Sequence, residues 1–198
     1  MSDFLFKDRD GQTPLPPELQ KGLRIKTIQT VGELDEYEED NIAKGLSWLA
    51  RQKSDPGSYG FWIKLHKKLF GNVWSWAGKI RTHELANPDF KLPHEIWPQL
   101  YQLEKDLEFW LAAGLIPGRE LAARFHERME TIHPFTNGNG RFGRILTEQI
   151  CRRRRFEIPT WGRALKNEPR KRRQIYIAAL TQARRRGDYD ALISVLFS

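Results

Sequence analysis

The sequence predicts an all-α domain, and three observations support this fold class. Apolar residues recur with helical spacing over most of the chain. Stretches rich in Gly, Pro and Asn interrupt that spacing at the points where helices should end. The chain has 198 residues, of which 39% are hydrophobic and 12% aromatic, which is enough for one globular domain with its own core.

Residues 1–30 are predicted to form an N-terminal arm, and residues 31–198 the folded domain. The arm contains DGQTPLPPELQKG, whose three prolines and two glycines disfavour regular structure. From residue 32 to about residue 52 the spacing becomes helical, and acidic side chains crowd the first turns. Acids stabilise the positive N-terminal end of a helix, so we expect the first helix to begin here.

A second, short amphipathic helix is predicted over FWIKLHKKLFG, residues 61–71. The next segment, KIRTHELANPDFKLP, lies between Gly78 and Pro93 and has the turn sequence Asn-Pro-Asp at its centre. These features favour a short β-hairpin or an extended flap over a helix.

The C-terminal half is predicted to be helical, with breaks at GLIPG, at the glycine-rich stretch and at IPTWG. Asn167 and Asp188 are candidate N-caps for the last two helices, because short polar side chains can accept hydrogen bonds from the first free N–H groups. The predicted segments are residues 96–111, 119–132, 145–155, 168–187 and a short final helix through residue 197. About seven helices are expected in total.

Charge is unevenly distributed along the chain. Residues 1–50 hold ten acids and six bases, whereas residues 151–198 hold eleven Arg, two Lys and four acids, a net of +9. Such a surface favours an acidic target, although a solvated helix face gives the same pattern. Nucleic acid is not expected as a partner, because no aromatic side chains alternate with the basic runs and no DNA-binding motif is present.

The strongest local signal is HPFTNGNGRFGR, residues 133–144. Gly138 and Gly140 permit a tight turn that points N–H groups into one concavity at a helix start, which suits an anion. Arg141 and Arg144 lie three residues apart, on one face of the next helix. The stretch therefore predicts a polyphosphate site with His133 at its rim. The alternative is an ordinary glycine-rich turn between helices, and the sequence matches neither the Walker nor the dinucleotide pattern.

The same twelve residues resemble the signature of the Fic (Fido) family, HPFx(D/E)GNGRxxR. The stretches WAGKIRT and LPHEI also resemble Fic sequences. VGELDEYEEDNI, LFGNVWSWAG and IYIAALTQARRRGDYDAL are similar to the bacterial subgroup called mobile mystery protein B. The resemblance covers nearly the whole chain and implies a Fic-type helical domain with a flap.

The resemblance also implies a reaction, in which AMP moves from ATP to a Ser, Thr or Tyr hydroxyl of a target protein, with Mg²⁺, and pyrophosphate leaves. His133 matches the general base, and its ordinary pKa of about 6.5 leaves it largely neutral at pH 7. Asn137 stands where many members have the acidic Mg²⁺ ligand, and we expect its amide oxygen to bind the metal more weakly. The residues that match the ATP and phosphate ligands are Gly138, Asn139, Gly140, Arg141 and Arg144.

The flap matches the family segment that holds the target protein by adding it as a strand. We assign target binding to its first residues, which are Arg81, Thr82, His83, Glu84 and Leu85. Many family members inhibit themselves with a glutamate in [S/T]xxxE[G/N] that pairs with the second signature arginine. No Ser or Thr here has Glu four residues later. Inhibition is then degenerate, supplied by an antitoxin-like partner, or absent, and the first two suit a toxin-like role.

Two other functions are compatible with the residues: the same site with another NTP or phosphate donor, and a basic binding module without enzymatic activity. HERMETIH does not predict a zinc site, because its spacing is not HExxH and no clear third ligand is near. The N-terminus lacks an apolar signal core, and the apolar runs are shorter than a membrane span. Cys151 is the single cysteine, so no internal disulfide can form, which is typical of proteins in a reducing compartment. We expect a cytoplasmic protein without a membrane segment.

Overall fold

The computed structural model describes residues 14, 15 and 20–198. Between residues 31 and 196 it contains seven α-helices, which confirms the all-α prediction. We label them in chain order: α1 Val31–Ala50, α2 Tyr59–Phe70, α3 Ile96–Ala113, α4 Gly118–Ile132, α5 Asn139–Arg154, α6 Pro169–Arg186 and α7 Asp190–Leu196. Two short 3₁₀ helices, Pro93–Glu95 and Arg163–Leu165, precede α3 and α6.

Most of the predicted N-terminal arm, residues 1–13 and 16–19, lies outside the described residues. The described part packs on the helices, because Leu15 and Leu23 are buried in the core. The Leu15 N–H donates to the Gln29 carbonyl at 2.8 Å. The boundary at residue 30 stays a prediction.

Helix starts agree with the sequence at α1 and differ at α6. Thr30 and Glu33 form a reciprocal capping box at α1, so the predicted acid-rich start is used. Asn167 does not cap α6: the N-cap is Glu168, and the Glu168 N–H donates to the Leu165 carbonyl at 2.9 Å. That bond keeps Asn167 inside the turn, and Pro169 at the first helical position has no N–H to satisfy. Asp188 does accept the Asp190 N–H, at 3.1 Å, beside α7.

The core has two parts, and α4 lies between them. The larger cluster lies among α1–α5, where Trp62 and Phe125 meet edge to face with ring centroids 5.6 Å apart. The smaller cluster joins α6 and α7 to Ala123 of α4. Cys151 is fully buried in α5, and burial raises the pKa of its thiol to about 12. No helix among residues 20–198 combines the length and apolar character needed to cross a bilayer.

Residues 81–92 form an extended flap, and the predicted β-hairpin is absent from this segment. An isolated bridge pairs Ile80 with Phe135 just before the flap begins. The buried Arg81 guanidinium replaces the ladder of a hairpin: it donates to the carbonyls of His83 at 2.9 Å, of His133 at 2.8 Å and of Lys91. One side chain thus joins both ends of the flap to the end of α4, and the backbone N–H groups of Arg81 and Lys91 add hydrogen bonds to the carbonyls of Pro134 at 3.0 Å and Thr131 at 3.1 Å.

Candidate functional site

The glycine-rich stretch forms a loop between α4 and α5 with a left-handed residue at each end. His133 ends α4 with φ 47°, and Gly138 precedes α5 with φ 79°. A Cβ atom at Gly138 would come within 2.9 Å of the Phe70 ring, so both its backbone conformation and its surroundings require glycine. Gly140, by contrast, lies within the first turn of α5.

Asn139 fixes the shape of this loop from inside the protein. Its side chain is 3% exposed, accepts the Phe135 N–H at 2.9 Å and donates to the Phe135 carbonyl at 2.7 Å. The Phe135 ring in turn stacks on His66 with centroids 3.6 Å apart. The Asn139 side chain is therefore occupied by the loop, and only its backbone N–H is left to contact an anion.

His133 is held as a neutral imidazole with a defined tautomer. Its Nδ1 lies 3.2 Å from the Glu130 carbonyl, which can only accept, so Nδ1 carries the proton and Nε2 keeps its lone pair. The ring stacks on Phe90 of the flap with centroids 3.7 Å apart and an angle of 11° between the planes. Burial, together with the charges of Arg81 and Arg184, lowers the pKa of His133 to about 4, although the Glu130 hydrogen bond opposes the shift.

The two arginines of α5 have different surroundings. Arg141 donates to Glu38 of α1 at 2.6 Å, and its guanidinium carbon lies 4.8 Å from the centre of the Phe70 ring. Burial lowers the pKa of Arg144, and the partners of its guanidinium are the Tyr176 hydroxyl and the Glu130 carboxyl. Burial raises the pKa of Glu130 to about 7, although Arg144 and Arg184 oppose that shift.

Asn137 offers one oxygen to the site. Its Oδ1 accepts the Gly138 N–H at 2.7 Å, which leaves one lone pair, and its backbone carbonyl lies 3.1 Å from His66 Nε2. His66 Nδ1 accepts the Gly78 N–H at 2.9 Å, so its Nε2 is the donor. Within the described residues no three metal-ligating side chains cluster. A single neutral oxygen fits a Mg²⁺ ion that phosphate oxygens and water mainly coordinate.

A cavity of about 880 Å³ brings most of these groups together. The loop, the flap and α6 form its walls. The cavity-lining residues that the sequence had predicted are His133, Asn137, Gly138, Asn139, Gly140, Arg141, Arg144 and Leu85. The other flap residues lie elsewhere: Arg81 is buried at the flap's base, whereas Thr82, His83 and Glu84 are exposed to solvent.

Sequence reasoning missed the contribution of α6 to this cavity. Arg184 donates to Thr131 at 2.7 Å and forms an ion pair with Asp89 of the flap at 2.9 Å, and Tyr176 reaches Arg144. The sequence shows Arg184 as part of a basic run, which indicates an exposed face. The likeness of the C-terminal stretch to the mobile mystery protein B subgroup gave no role in the site to any residue of α6.

Comparison with known proteins matches residues 56–151 to the Fic/DOC family. Protein adenylyltransferase VbhT from Bartonella schoenbuchensis is 31% identical over 110 residues, which are 53% of this chain and 23% of that protein. Protein adenylyltransferase fic-1 from Caenorhabditis elegans is 34% identical over 100 residues, or 48% of this chain and 19% of that protein. The chain thus spans about a quarter or less of the length of these relatives.

Solved structures share the fold. The BepC protein of Bartonella tribocorum, crystallised with bound AMPPNP, superimposes with a TM-score of 0.63 over 99% of this chain and 95% of its own, at 18% identity. At that identity the likeness concerns the fold. It extends beyond the stretch matched to the family and includes α7 as well as α6, which lines one side of the cavity.

Proposed function

The chain belongs to the Fic/DOC family through residues 56–151, and we propose that it transfers AMP from ATP to a Ser, Thr or Tyr hydroxyl of a target protein. One observation carries the proposal: the lone pair of His133 Nε2 and the arginines of α5 belong to residues that line the same cavity. The names of the relatives support AMP as the transferred group, and the AMPPNP in BepC supports a nucleotide in this fold.

In this mechanism His133 Nε2 takes the proton of the target hydroxyl as its oxygen attacks the α-phosphorus. The bond between the α-phosphorus and the bridging oxygen to the β-phosphorus breaks, and pyrophosphate leaves with the electron pair. Negative charge grows on the leaving group, where Arg141 and Arg144 are placed to bind it. The backbone N–H groups of residues 138–140 bind the inner phosphates at the N-terminus of α5.

Mg²⁺ would neutralise part of the phosphate charge when bound, with Asn137 Oδ1 as its ligand from this chain. The amide brings no negative charge, so we expect weaker metal binding than with a carboxylate. Replacing Asn137 by Asp should tighten Mg²⁺ binding in the presence of ATP. If affinity for the metal does not change, Asn137 is not a ligand.

The flap is proposed as the binding site of the target segment. Thr82, His83 and Glu84 are exposed along an extended backbone, and such an edge can pair with a peptide through main-chain hydrogen bonds. Arg81 serves this role indirectly, because it anchors the flap and is itself buried. Leu85 lines the cavity.

An internal restraint is favoured among the three arrangements that the sequence leaves open. Glu38 already occupies Arg141 at 2.6 Å and also accepts the Trp74 indole N–H at 2.7 Å. A carboxylate on a phosphate-binding arginine competes with phosphate, which would suit a toxin-like protein in the cytoplasm. An antitoxin-like partner could strengthen that competition. We expect Glu38→Gln to lower the Kd for ATP, and an unchanged or higher Kd would contradict the restraint.

The proposal is tested with purified protein, ATP labelled at the α-phosphate, Mg²⁺ and host lysate. The intact chain and His94→Ala, which changes an exposed histidine, should label a protein band, whereas His133→Ala should not, although it still binds ATP. Equal labelling by His133→Ala would disprove the role of this base. The four labelled NTPs compared in parallel identify the donor.

The absence of any labelled band would also be informative. If neither the intact chain nor Asn137→Asp labels a protein with any of the four nucleotides, a binding module without enzymatic activity is favoured. That reading predicts nucleic-acid affinity that falls steeply with salt.

A further inference from the structure

Arg144 is oriented by a chain of buried hydrogen bonds that joins three helices. Its guanidinium meets the Tyr176 hydroxyl of α6. The Tyr176 hydroxyl lies 2.7 Å from Nε2 of His126 in α4, and His126 Nδ1 lies 3.3 Å from Thr147 Oγ1 in α5. Thr147 completes the chain by donating to the Gly143 carbonyl at 2.8 Å, one residue before Arg144.

The donor and acceptor of each bond in this chain can be assigned. Thr147 uses its only proton on Gly143, so its oxygen must accept from His126 Nδ1–H. Burial lowers the pKa of His126 to about 3, so the ring is neutral and carries a single proton. Because that proton is on Nδ1, Nε2 carries none. Tyr176 therefore donates to Nε2, and the lone pairs of its oxygen are left to accept from Arg144.

Such a chain is not needed for packing alone. Apolar side chains of similar volume can stabilise a helix interface as well as a buried polar network does, without the cost of removing polar groups from water. The network instead fixes the orientation of its side chains, because only one arrangement of protons satisfies all of their hydrogen bonds. The last side chain oriented in this way is Arg144, which lines the cavity.

We propose that Tyr176, itself oriented by His126 and Thr147, is a positioning residue that aims Arg144 at the outer phosphates of the nucleotide. The inference rests on the proposed function, which assigns those phosphates to Arg144. It also places a determinant of triphosphate binding on α6, beyond the residues 56–151 that match the family.

The test compares the affinities of purified variants for ATP and AMP by calorimetry. Tyr176→Phe removes only the hydroxyl, and we expect the Kd for ATP to rise about tenfold, as a lost hydrogen bond to a charged group predicts, while the Kd for AMP stays unchanged. Tyr189→Phe is the matched control, because Tyr189 lies at the start of α7 outside the cavity, and it should change neither value. Arg144→Ala is the reference for complete loss of the phosphate contact.

The results for Arg144→Ala and Tyr176→Phe test the phosphate contact and the positioning role separately. If Arg144→Ala raises the Kd for ATP and Tyr176→Phe does not, the positioning role is wrong and the assigned phosphate contact stands. If Arg144→Ala has no effect, the assignment of Arg144 fails and the positioning role falls with it. An equal rise for ATP and AMP in Tyr176→Phe would indicate a purely structural role and also overturn the proposal.

A spectroscopic measurement keeps the proposal testable if Tyr176→Phe does not fold. The ¹⁵N NMR spectrum of His126 in the intact chain should show the Nδ1–H tautomer. Thr147→Val preserves side-chain shape but removes one of the two oxygens beside that proton and leaves the Gly143 carbonyl, so the imidazole should reorient toward Gly143 and the Kd for ATP should rise. An Nε2–H tautomer in the intact chain, or an unchanged Kd in Thr147→Val, would overturn the proposal.

Discussion

The signature loop, residues 133–138, and the flap, residues 81–92, border the same cavity but are held in different ways. The loop is fixed by its own ends and by Asn139, which bonds both polar groups of the Phe135 backbone. The flap is held mainly at its two ends and by single side chains: Arg81 at its base, and Arg184, which pairs with Asp89. Loss of one of these contacts can release the flap and leave the helices intact.

Under the proposed function, the firmly held loop is the catalytic element and the loosely held flap is the element that binds the target protein. In the proposed function the loop carries the base and the phosphate ligands, whose geometry must be preorganised, and the buried bonds of the loop are suited to that. A segment that accepts a target chain must be able to open, and segments with few buried contacts open at low cost in free energy. The two regions should therefore respond differently to mutation.

The largest effect is expected in the loop. Asn139→Ala leaves the buried Phe135 N–H and carbonyl without partners and should lower the free energy of unfolding by about 3 kcal/mol. Chemical denaturation measures this value, with Asn72→Ala, an exposed asparagine, as the control that should change little. A loss as small as that of the control would mean that the loop is no more firmly held than the flap.

Arg81→Ala should have a smaller and more local effect. The three carbonyls that lose their donor can be hydrated once the flap opens, so we expect a loss of about 1–2 kcal/mol in unfolding free energy. Hydrogen exchange should speed up over residues 81–92 and not in α4 or α5. Arg185→Ala changes an exposed arginine and serves as the control. Faster exchange throughout the domain would contradict a separable flap.

Phe90 is where the flap acts on the loop, and Phe90→Ala tests that coupling. Burial lowers the pKa of His133 to about 4, so removing the stacked ring should hydrate the imidazole and raise its pKa by about one unit toward 6.5. The group would then begin to protonate, and to lose its function as a base, at higher pH than in the intact chain. NMR titration measures the pKa, and Phe109→Ala, on an exposed phenylalanine, should not move it.

Asp89→Ala should give the smallest change. The Arg184–Asp89 ion pair is partly exposed, so its loss should lower the free energy of unfolding by no more than about 1 kcal/mol. Hydrogen exchange near residue 89 should still become faster. Glu84→Ala, which removes another flap carboxylate, should leave exchange there unchanged. If hydrogen exchange near residue 89 is the same in both variants, the Arg184–Asp89 ion pair does not hold the flap.

The sequence predicts the local features of this protein better than the contacts between distant segments. The helices and the tight turn of the loop follow from local patterns, since helical spacing and the glycines act within a few residues. Long-range contacts leave no local pattern: Glu38 and Arg141 are 103 positions apart, and Tyr176 reaches His126 across 50. Of the two forms predicted for the flap, the structure has the extended one, in which a buried arginine joins the ends. No periodicity in the sequence indicates the direction of that side chain.

The state of Cys151 has a practical consequence for studying these motions. It is the single cysteine, it is fully buried, and its thiol with a pKa of about 12 is protonated at neutral pH, so maleimide and iodoacetamide reagents should not modify it. A cysteine placed at the exposed Ala86 would then be the one reactive thiol of the native chain. A fluorophore or spin label attached there would report the position of the flap without any background substitution in the core.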